Sequence, residues 1–382
     1  MTTPPSPPAD RPLRVLHLTG VLDRGGIESW LVGLLRHAPK GQADMDVLVV
    51  SPDPRPGTYD AEVRALGARV MFAPPTAGKG MVKFALAFLR FLRREGPYDV
   101  VHSHIHHFGG LALLLARLAG VPVRVATSHS DTRRVDAQAS GGRALYLRLM
   151  RLATTLGVTH RLAVSAEAAE ALFGAHWQAS GTHLTTLGID LGRLKGAVAS
   201  DDLRAEVGLR PGLPVLGHVG LMRPEKNHLF LLEIFATYRQ ANHDAQLLLV
   251  GDGPERGAIE RRAAELGLCD SILFTGSRPD VPQLLALMDA FIFPSVYEGV
   301  SLALQEAYAS GLPCVTSETV PLPPGAQGIE AVALRAPLTD WVDAIHRALE
   351  RGRQPHTGAA LDIAVTAPTL VAFYRQARQG QA

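Results

Sequence analysis

Short apolar runs that read as strands alternate with helical patterns in two successive series, and this alternation limits the fold more than any other feature of the chain. Beginning near residue 12, LRVLHLTG reads as a strand, ESWLVGLLRHA as a helix and MDVLVVS as a second strand. YDVVHSH, a helix from 108 to 119 and VPVRVATSH follow. The second series opens with PVLGHVG at 214 to 220. It runs through HLFLLEIFATYRQ, QLLLVG, PERGAIERRAAELG, SILFTG, VPQLLALMD and AFIFPS to a helix from about 301 to 310. Strands that are apolar throughout need cover on both faces, so each series predicts a doubly wound α/β domain with a parallel sheet. At 382 residues the chain also exceeds what a single core holds, about 250 to 300 residues. The stretch GIDLGRLKGAVASDDLRAEVGLRPGLP is polar and punctuated by Gly and Pro, with one small helix after Ser200, and sets the boundary near 190. The expected organisation is a disordered tail at 1–11, an N-terminal domain at 12–189 and a C-terminal domain at 190–365. A last helical segment at 366–382 is expected to pack back on the N-terminal domain.

Composition narrows the class of function. With 47% hydrophobic and 19% charged residues and a formal net charge of +2, nothing points to a nucleic-acid partner. Cys269 and Cys314 lie far apart without metal-ligand or disulfide-framework spacing, and are expected as packing residues in a reducing compartment. The N-terminal MTTPPSPPADR lacks the apolar core of a signal peptide, and LALLLA at 111 to 116 is too short to span a bilayer. A cytoplasmic location is expected.

Ligands of open α/β sheets bind beyond the carboxyl ends of the strands, so the strand-to-helix loops are where chemistry is sought. In TGVLDRGGIES, Gly25 and Gly26 precede a helix and would let backbone N–H groups approach a phosphate, or simply make a tight turn. LVGDGPERG carries Gly251 and Gly253 but has Arg256 where a dinucleotide fingerprint needs its third glycine, and no ribose-binding acid ends the next strand. In GLMRPEKNH, Arg223 and Lys226 offer cationic donors to a diphosphate. PSVYEGVSLALQEAYASGLPCV sets Glu298 in a loop and Glu306 two turns along a helix. A separation of ~7 to 10 Å argues against a proton-sharing dyad. Ligand hydroxyls would satisfy such acids; a helix cap and a solvent-facing carboxylate would also account for them.

Glu298 and Glu306, with seven residues between them, match the EX7E signature of the retaining glycosyltransferases of family 4. LHLTGVLDRGGIES, HVGLMRPEKNH, LLLVGDGPER and VPQLLALMDAFIFPSVYEG also resemble that family, in its usual order. HSHIHHFGGLALLLARLAGVPVR and TSHSDT resemble its subgroup that assembles exopolysaccharide or capsular polysaccharide. The resemblance implies a GT-B fold, two Rossmann-like domains facing an interdomain cleft. It implies transfer of a hexose from a nucleoside-diphosphate sugar, UDP-sugar foremost, to a saccharide or lipid-linked acceptor. The reaction would retain anomeric configuration and use neither cofactor nor metal. By position, Glu306 would bind the ribose, and Glu298 and His129 would lie by the reacting sugar. Lys226 and Arg223 would meet the diphosphate with Gly25 and Gly26, and the backbone of Gly299, Val300, Ser301 and Leu302 would bind sugar or phosphate.

Departures from the pattern keep a second reading open, a nucleotide-sugar-binding module without turnover. Leu221 replaces the usual arginine, Arg223 is displaced by two positions, Leu187 stands for asparagine and EGVS for EGFG. Other motifs carry weaker alternatives. Asp44 and Asp46 form a DxD that precedes a strand and reads as a solvated turn. His102, His104 and His106 alternate as metal ligands would, yet without acidic or cysteine partners they read as substrate contacts or packing. GVSLA lacks the last glycine of a hydrolase elbow. KGMVKFALAFLRFLRR at 79–94 stripes Lys79, Lys83, Arg90 and Arg94 beside Phe84, Phe88 and Phe91. It suits either an anionic membrane surface or a domain helix with its phenylalanines turned inward.

Overall fold

The computed structural model describes residues 11–76, 80–354 and 359–380; all of the tail expected at 1–11 except Arg11, and Lys79, fall outside them. The chain forms two compact units. The first comprises the residues up to Gly188 together with those from Ile363 onward, and the second is Ile189–Asp362.

The first unit holds seven strands: β1 Leu13–Thr19, β2 Ala43–Val49, β3 Val70–Phe72, β4 Val100–Ser103, β5 Val123–Ser128, β6 His160–Ala163 and β7 Thr182–Leu184. They are parallel throughout and ordered β3-β2-β1-β4-β5-β6-β7. The second unit holds six: β8 Val215–Val219, β9 Gln246–Val250, β10 Ile272–Gly276, β11 Ala290–Phe293, β12 Cys314–Ser317 and β13 Glu330–Val332. They too are parallel, ordered β10-β9-β8-β11-β12-β13. Each sheet therefore reverses its winding once, between β1 and β4 and between β8 and β11, and a crevice opens at such a reversal beyond the carboxyl ends of the strands.

Continuous apolar strands are buried as their composition demands: every residue of β4, β9, β11 and β12 is buried. In the first unit, helix Gly80–Glu95 turns Phe84, Phe88 and Leu92 into the core, so Phe84 and Phe88 are not available to a membrane, and Phe91 is partly buried against the same core. Helix Ile363–Gln379 packs against helix Gly26–His37 of the same unit and buries Val371 and Tyr374. In the second unit, Trp341 of helix Leu338–Arg351 is fully buried among Phe230, Leu247 and their neighbours. Cys314 is buried, whereas Cys269 is exposed, contrary to the packing role expected for it.

Candidate functional site

The loops leaving β8 and β11 occupy the reversal point of the second sheet, and they are tied to each other. The Val296 N–H donates to the Glu225 carbonyl at 2.8 Å, and Asn227 Nδ2 donates to the Pro294 carbonyl at 3.1 Å. Asn227 takes the left-handed backbone conformation, φ 57°, that asparagine tolerates better than most residues. It ends the short turn Pro224–Lys226 and starts helix His228–Arg239. This geometry brings Lys226 Nζ to Glu298 Oε1 at 2.5 Å, with the two side chains only 17% and 11% exposed. The ammonium also lies 5.2 Å from the centre of the Phe293 ring. Two of the expected donor-site residues are thus joined in one largely buried ion pair. Arg223 stays exposed.

The glycines of LVGDGPERG serve this site by bringing backbone close to it. Gly251 has φ 132°, and a Cβ there would collide with the Gly220 carbonyl; a Cβ on Gly253 would meet the Met222 carbonyl at 2.5 Å. The Met222 N–H donates to the Asp252 carbonyl, and the Glu255 N–H donates to the Met222 carbonyl. The second glycine loop therefore braces the loop 220–227, and its glycines are accounted for without a dinucleotide.

Helix Leu302–Ala309 begins directly after the Glu298 loop. Ser301 is its N-cap, accepting from the Leu304 N–H at 3.2 Å, and among the described residues no histidine or carboxylate bonds its hydroxyl as a hydrolase nucleophile would need. Replacing Ser301 by alanine is expected to lower stability by about 1 kcal/mol, read as a shifted urea midpoint. Farther along, Glu306 is half-buried, and among the described residues no side-chain hydrogen bond reaches its carboxylate. Burial pushes its carboxyl up to about 7; Arg193 opposes the shift and Asp190 adds to it. A carboxylate held at such a cost, with its acceptor capacity unspent, suits a ligand bearing hydroxyl donors. Glu298 is paired with Lys226, and among the described residues no hydrogen bond joins it to Glu306, so the two acids are not seen as a proton-sharing dyad.

His218 and His228 were not singled out in the sequence. His218 on β8 is fully buried, bonds the Ile292 carbonyl through Nδ1 at 2.9 Å and stacks on Phe293; its Nε2 has no partner. Burial and the neighbouring His228 hold it neutral, well below the ordinary histidine range. Apart from an aromatic-rich strand pair, nothing in HVGLMRPEKNH announces it.

In the first unit, the reversal between β1 and β4 gathers histidines. His17 Nδ1 lies 3.0 Å from His104 Nε2, and His104 Nδ1 lies 3.0 Å from His129 Nε2. His102 is held between Tyr374 Oη at 2.5 Å and Thr127 Oγ1 at 2.6 Å. Burial depresses all four, His17 and His129 to about 3. His129 is therefore an uncharged imidazole at neutral pH and a weak general base. Nitrogens of His17, His102 and His104 lie within 4.8 Å of one another, but those of His102 and His104 are engaged in the hydrogen bonds above. His106 is not part of this group; it sits edge-on to His107, which bonds Asp136 at 2.7 Å. Gly25 caps helix Gly26–His37, and a Cβ on it would come within 2.4 Å of the Glu28 carboxylate, so a side chain there would require that carboxylate to move. Asp46 of the DxD is spent on Arg69 and Tyr98, a structural role.

Comparison with known proteins agrees with this architecture. Residues 24–193 match the model of Glycosyltransferase Family 4, and residues 213–351 match that of Glycosyl transferases group 1. The glycosyltransferase EpsF of Bacillus subtilis is 33% identical over 89% of this chain and 88% of its own length. The UDP-Gal:alpha-D-GlcNAc-diphosphoundecaprenol alpha-1,3-galactosyltransferase of Escherichia coli is 28% identical over 73% of this chain and 72% of its own. Among solved structures, HepE of Anabaena in complex with UDP and glucose superposes with a TM-score of 0.73 at 18% identity, covering 96% of this chain and 98% of that one. WaaG, a glycosyltransferase involved in lipopolysaccharide biosynthesis, gives 0.67 at 16% identity over 97% and 98%. The two parallel-sheet units, the two family matches and the extent of the likeness to EpsF lead to one conclusion: the chain belongs to glycosyltransferase family 4 and has the GT-B fold.

Proposed function

We propose that the protein transfers a hexose, with retention of anomeric configuration, from a UDP-sugar to a saccharide or lipid-linked saccharide in exopolysaccharide or capsule synthesis. The observation that carries this reading is the largely buried Lys226–Glu298 pair at the reversal point of the second sheet. The named substrates of the Escherichia coli galactosyltransferase and the UDP and glucose bound to HepE support the choice of donor.

In the proposed reaction, Glu306 accepts hydrogen bonds from the ribose, and Lys226, with the backbone of Gly299, Val300, Ser301 and Leu302, meets the diphosphate and sugar. Stabilising the departing diphosphate is the main source of rate. The acceptor hydroxyl attacks the anomeric carbon as the bond to the diphosphate breaks, and its proton passes to the leaving phosphate. No divalent metal or cofactor is needed for this scheme. Glu298 lies beside the anomeric centre. His129, neutral at physiological pH, hydrogen-bonds the sugar or acceptor rather than abstracting a proton. Gly25 and Gly26 offer backbone N–H groups to the diphosphate, and a cytoplasmic location would supply the donor.

A panel of UDP-, GDP- and ADP-sugars tested by thermal shift is the direct check, and failure of every nucleotide to raise the melting temperature sinks the reading. Lys226→Ala is expected to weaken donor binding by about 10- to 100-fold, and Glu298→Gln to retain binding while turnover falls by about 100-fold. The second reading, a binding module without turnover, is favoured by Leu221 in place of arginine and by the exposure of Arg223. It predicts a thermal shift in the panel with no sugar transfer to any acceptor.

A further inference from the structure

Helices Gly80–Glu95, Gly109–Leu118 and Gly141–Gly157 pack side by side in the first unit. They connect strands laid down successively in one direction across the sheet, so right-handed crossovers put them in one layer. Helix Gly141–Gly157 is apolar on two faces. One, with Leu147, Met150 and Ala153, is buried. The other carries Leu145, Leu149, Leu152 and Leu156, which are 58%, 51%, 55% and 46% exposed. Their spacing of four, three and four residues draws a single stripe about 16 Å long. Four large apolar side chains aligned in water are a patch, not the scattered exposure that every surface shows.

Charge says what covers it. Arg143 and Arg148 are exposed on the same helix, which contains no acidic residue. On the adjoining helix Gly109–Leu118, Leu118 is 66% exposed beside Arg117, and beyond it helix Gly80–Glu95 adds exposed Val82 and Leu86 with Lys83 and Arg90. The sole acid in the three helices, Glu95, is paired with Arg69. A second copy of this chain seated on the stripe would set arginines against arginines. A layer of three helices also offers breadth rather than a groove for a peptide. We propose that this layer, led by the leucine stripe of helix Gly141–Gly157, docks the protein on an anionic lipid bilayer. The leucines enter the headgroup boundary and the arginines meet lipid phosphates. The surface differs from the one the sequence suggested, since Phe84 and Phe88 are core. It would hold the enzyme where the lipid-linked acceptor of the reading above resides.

Sedimentation of the full chain with vesicles tests this without any turnover or nucleotide, so its failure is separable from failure of the proposed reaction. The chain is expected to pellet with phosphatidylcholine vesicles containing phosphatidylglycerol and to remain in solution with phosphatidylcholine alone. Leu149→Ser/Leu152→Ser should lower the partition coefficient about tenfold or more, with an unchanged circular-dichroism melt as the control for folding. Arg143→Gln/Arg148→Gln should weaken the preference for the anionic vesicles. Absence of binding by the wild type overturns the proposal, as does equal binding by the leucine variant. A wild-type dimer that the leucine variant converts to monomer overturns it too, by identifying a second copy as the occupant.

Discussion

Glu306→Gln is expected to make the ligand-free protein more stable at pH 8 and, at the same time, to remove the stabilisation that a nucleotide sugar confers. The first effect follows from proton linkage. Burial raises the Glu306 carboxyl from 4.5 to about 7, so between those values the folded chain holds a proton that the unfolded chain has released. Stability from this group therefore falls as pH rises through that window and is level above it. Glutamine never ionises and escapes the loss. For a half-buried group with some solvent screening, the gain is about 1–3 kcal/mol. Measured against wild type in matched buffers, it should grow from about pH 5 to about pH 7 and then level off. The second effect follows from the ligand's donors. Ribose hydroxyls would stabilise the ionised carboxylate, so donor binding should release a proton near neutrality and tighten as pH rises toward 7. Calorimetry in buffers of different ionisation enthalpy reads that proton directly. The amide offers one acceptor and no charge, and affinity is expected to fall by about 10- to 100-fold. If Glu306→Gln proved less stable than wild type at pH 8 and bound donor equally well, Glu306 would be a structural residue and the ribose assignment would be wrong.

How far such roles were legible depended on the distance along the chain over which the cause acts. Strand and helix positions around the site came through because apolar runs and caps are local signals; Ser301 and Ser310 flank helix Leu302–Ala309 as the pattern of residues suggested. The likeness of PSVYEGVSLALQEAYASGLPCV and its companion motifs to a family named Glu298, Glu306 and Lys226. That Lys226 and Glu298 pair with each other required the three-dimensional structure, since 72 residues separate them and the loops are tied by the bonds of Asn227 to Pro294 and of Val296 to Glu225. The histidine network shows the limit more sharply. His102, His104 and His106 looked like a set because they alternate. The chain bends after β4, so His106 leaves the group and His17 and His129 enter it. Tyr374, which holds His102, lies 272 residues farther on, in a helix that returns to the first unit only after the second is complete. The exposed leucines of helix Gly141–Gly157 were hidden for a different reason. In sequence a helix with two apolar faces looks like a core helix, and only packing shows which face has a neighbour.

The second large effect is acid unfolding that starts in the first unit, between about pH 6 and pH 5. His17, His102, His104 and His129 are buried and neutral there, with burial as the leading cause of each depression. In the unfolded chain they titrate near 6.5, so below that value the unfolded state gains protons that the folded state refuses. Stability is therefore lost as pH falls from about 6.5 toward the depressed folded values. At pH 5 each histidine accounts for about 2 kcal/mol, and four approach the 5–15 kcal/mol that holds a typical domain together. The opposing gain from protonating Glu306 concerns one group and the other unit. Carboxylates act lower: burial resists the depression of Asp46, but its bonds to Arg69 and Tyr98 carry it below 3.8, so stability from that cluster goes only as pH drops through the lowered value. The second unit has two comparable histidines, His218 and His228, and should outlast the first. Hydrogen exchange followed by mass spectrometry at stepped pH separates the two. Amides of β1, β4 and β5 should lose protection before those of β8, β9 and β11. Protection of β1 and β4 that persisted to pH 4 would mean that the histidines are protonated without unfolding, through water entering beside His17 Nε2 or His129 Nδ1, the two ring nitrogens at the ends of the network that have no partner.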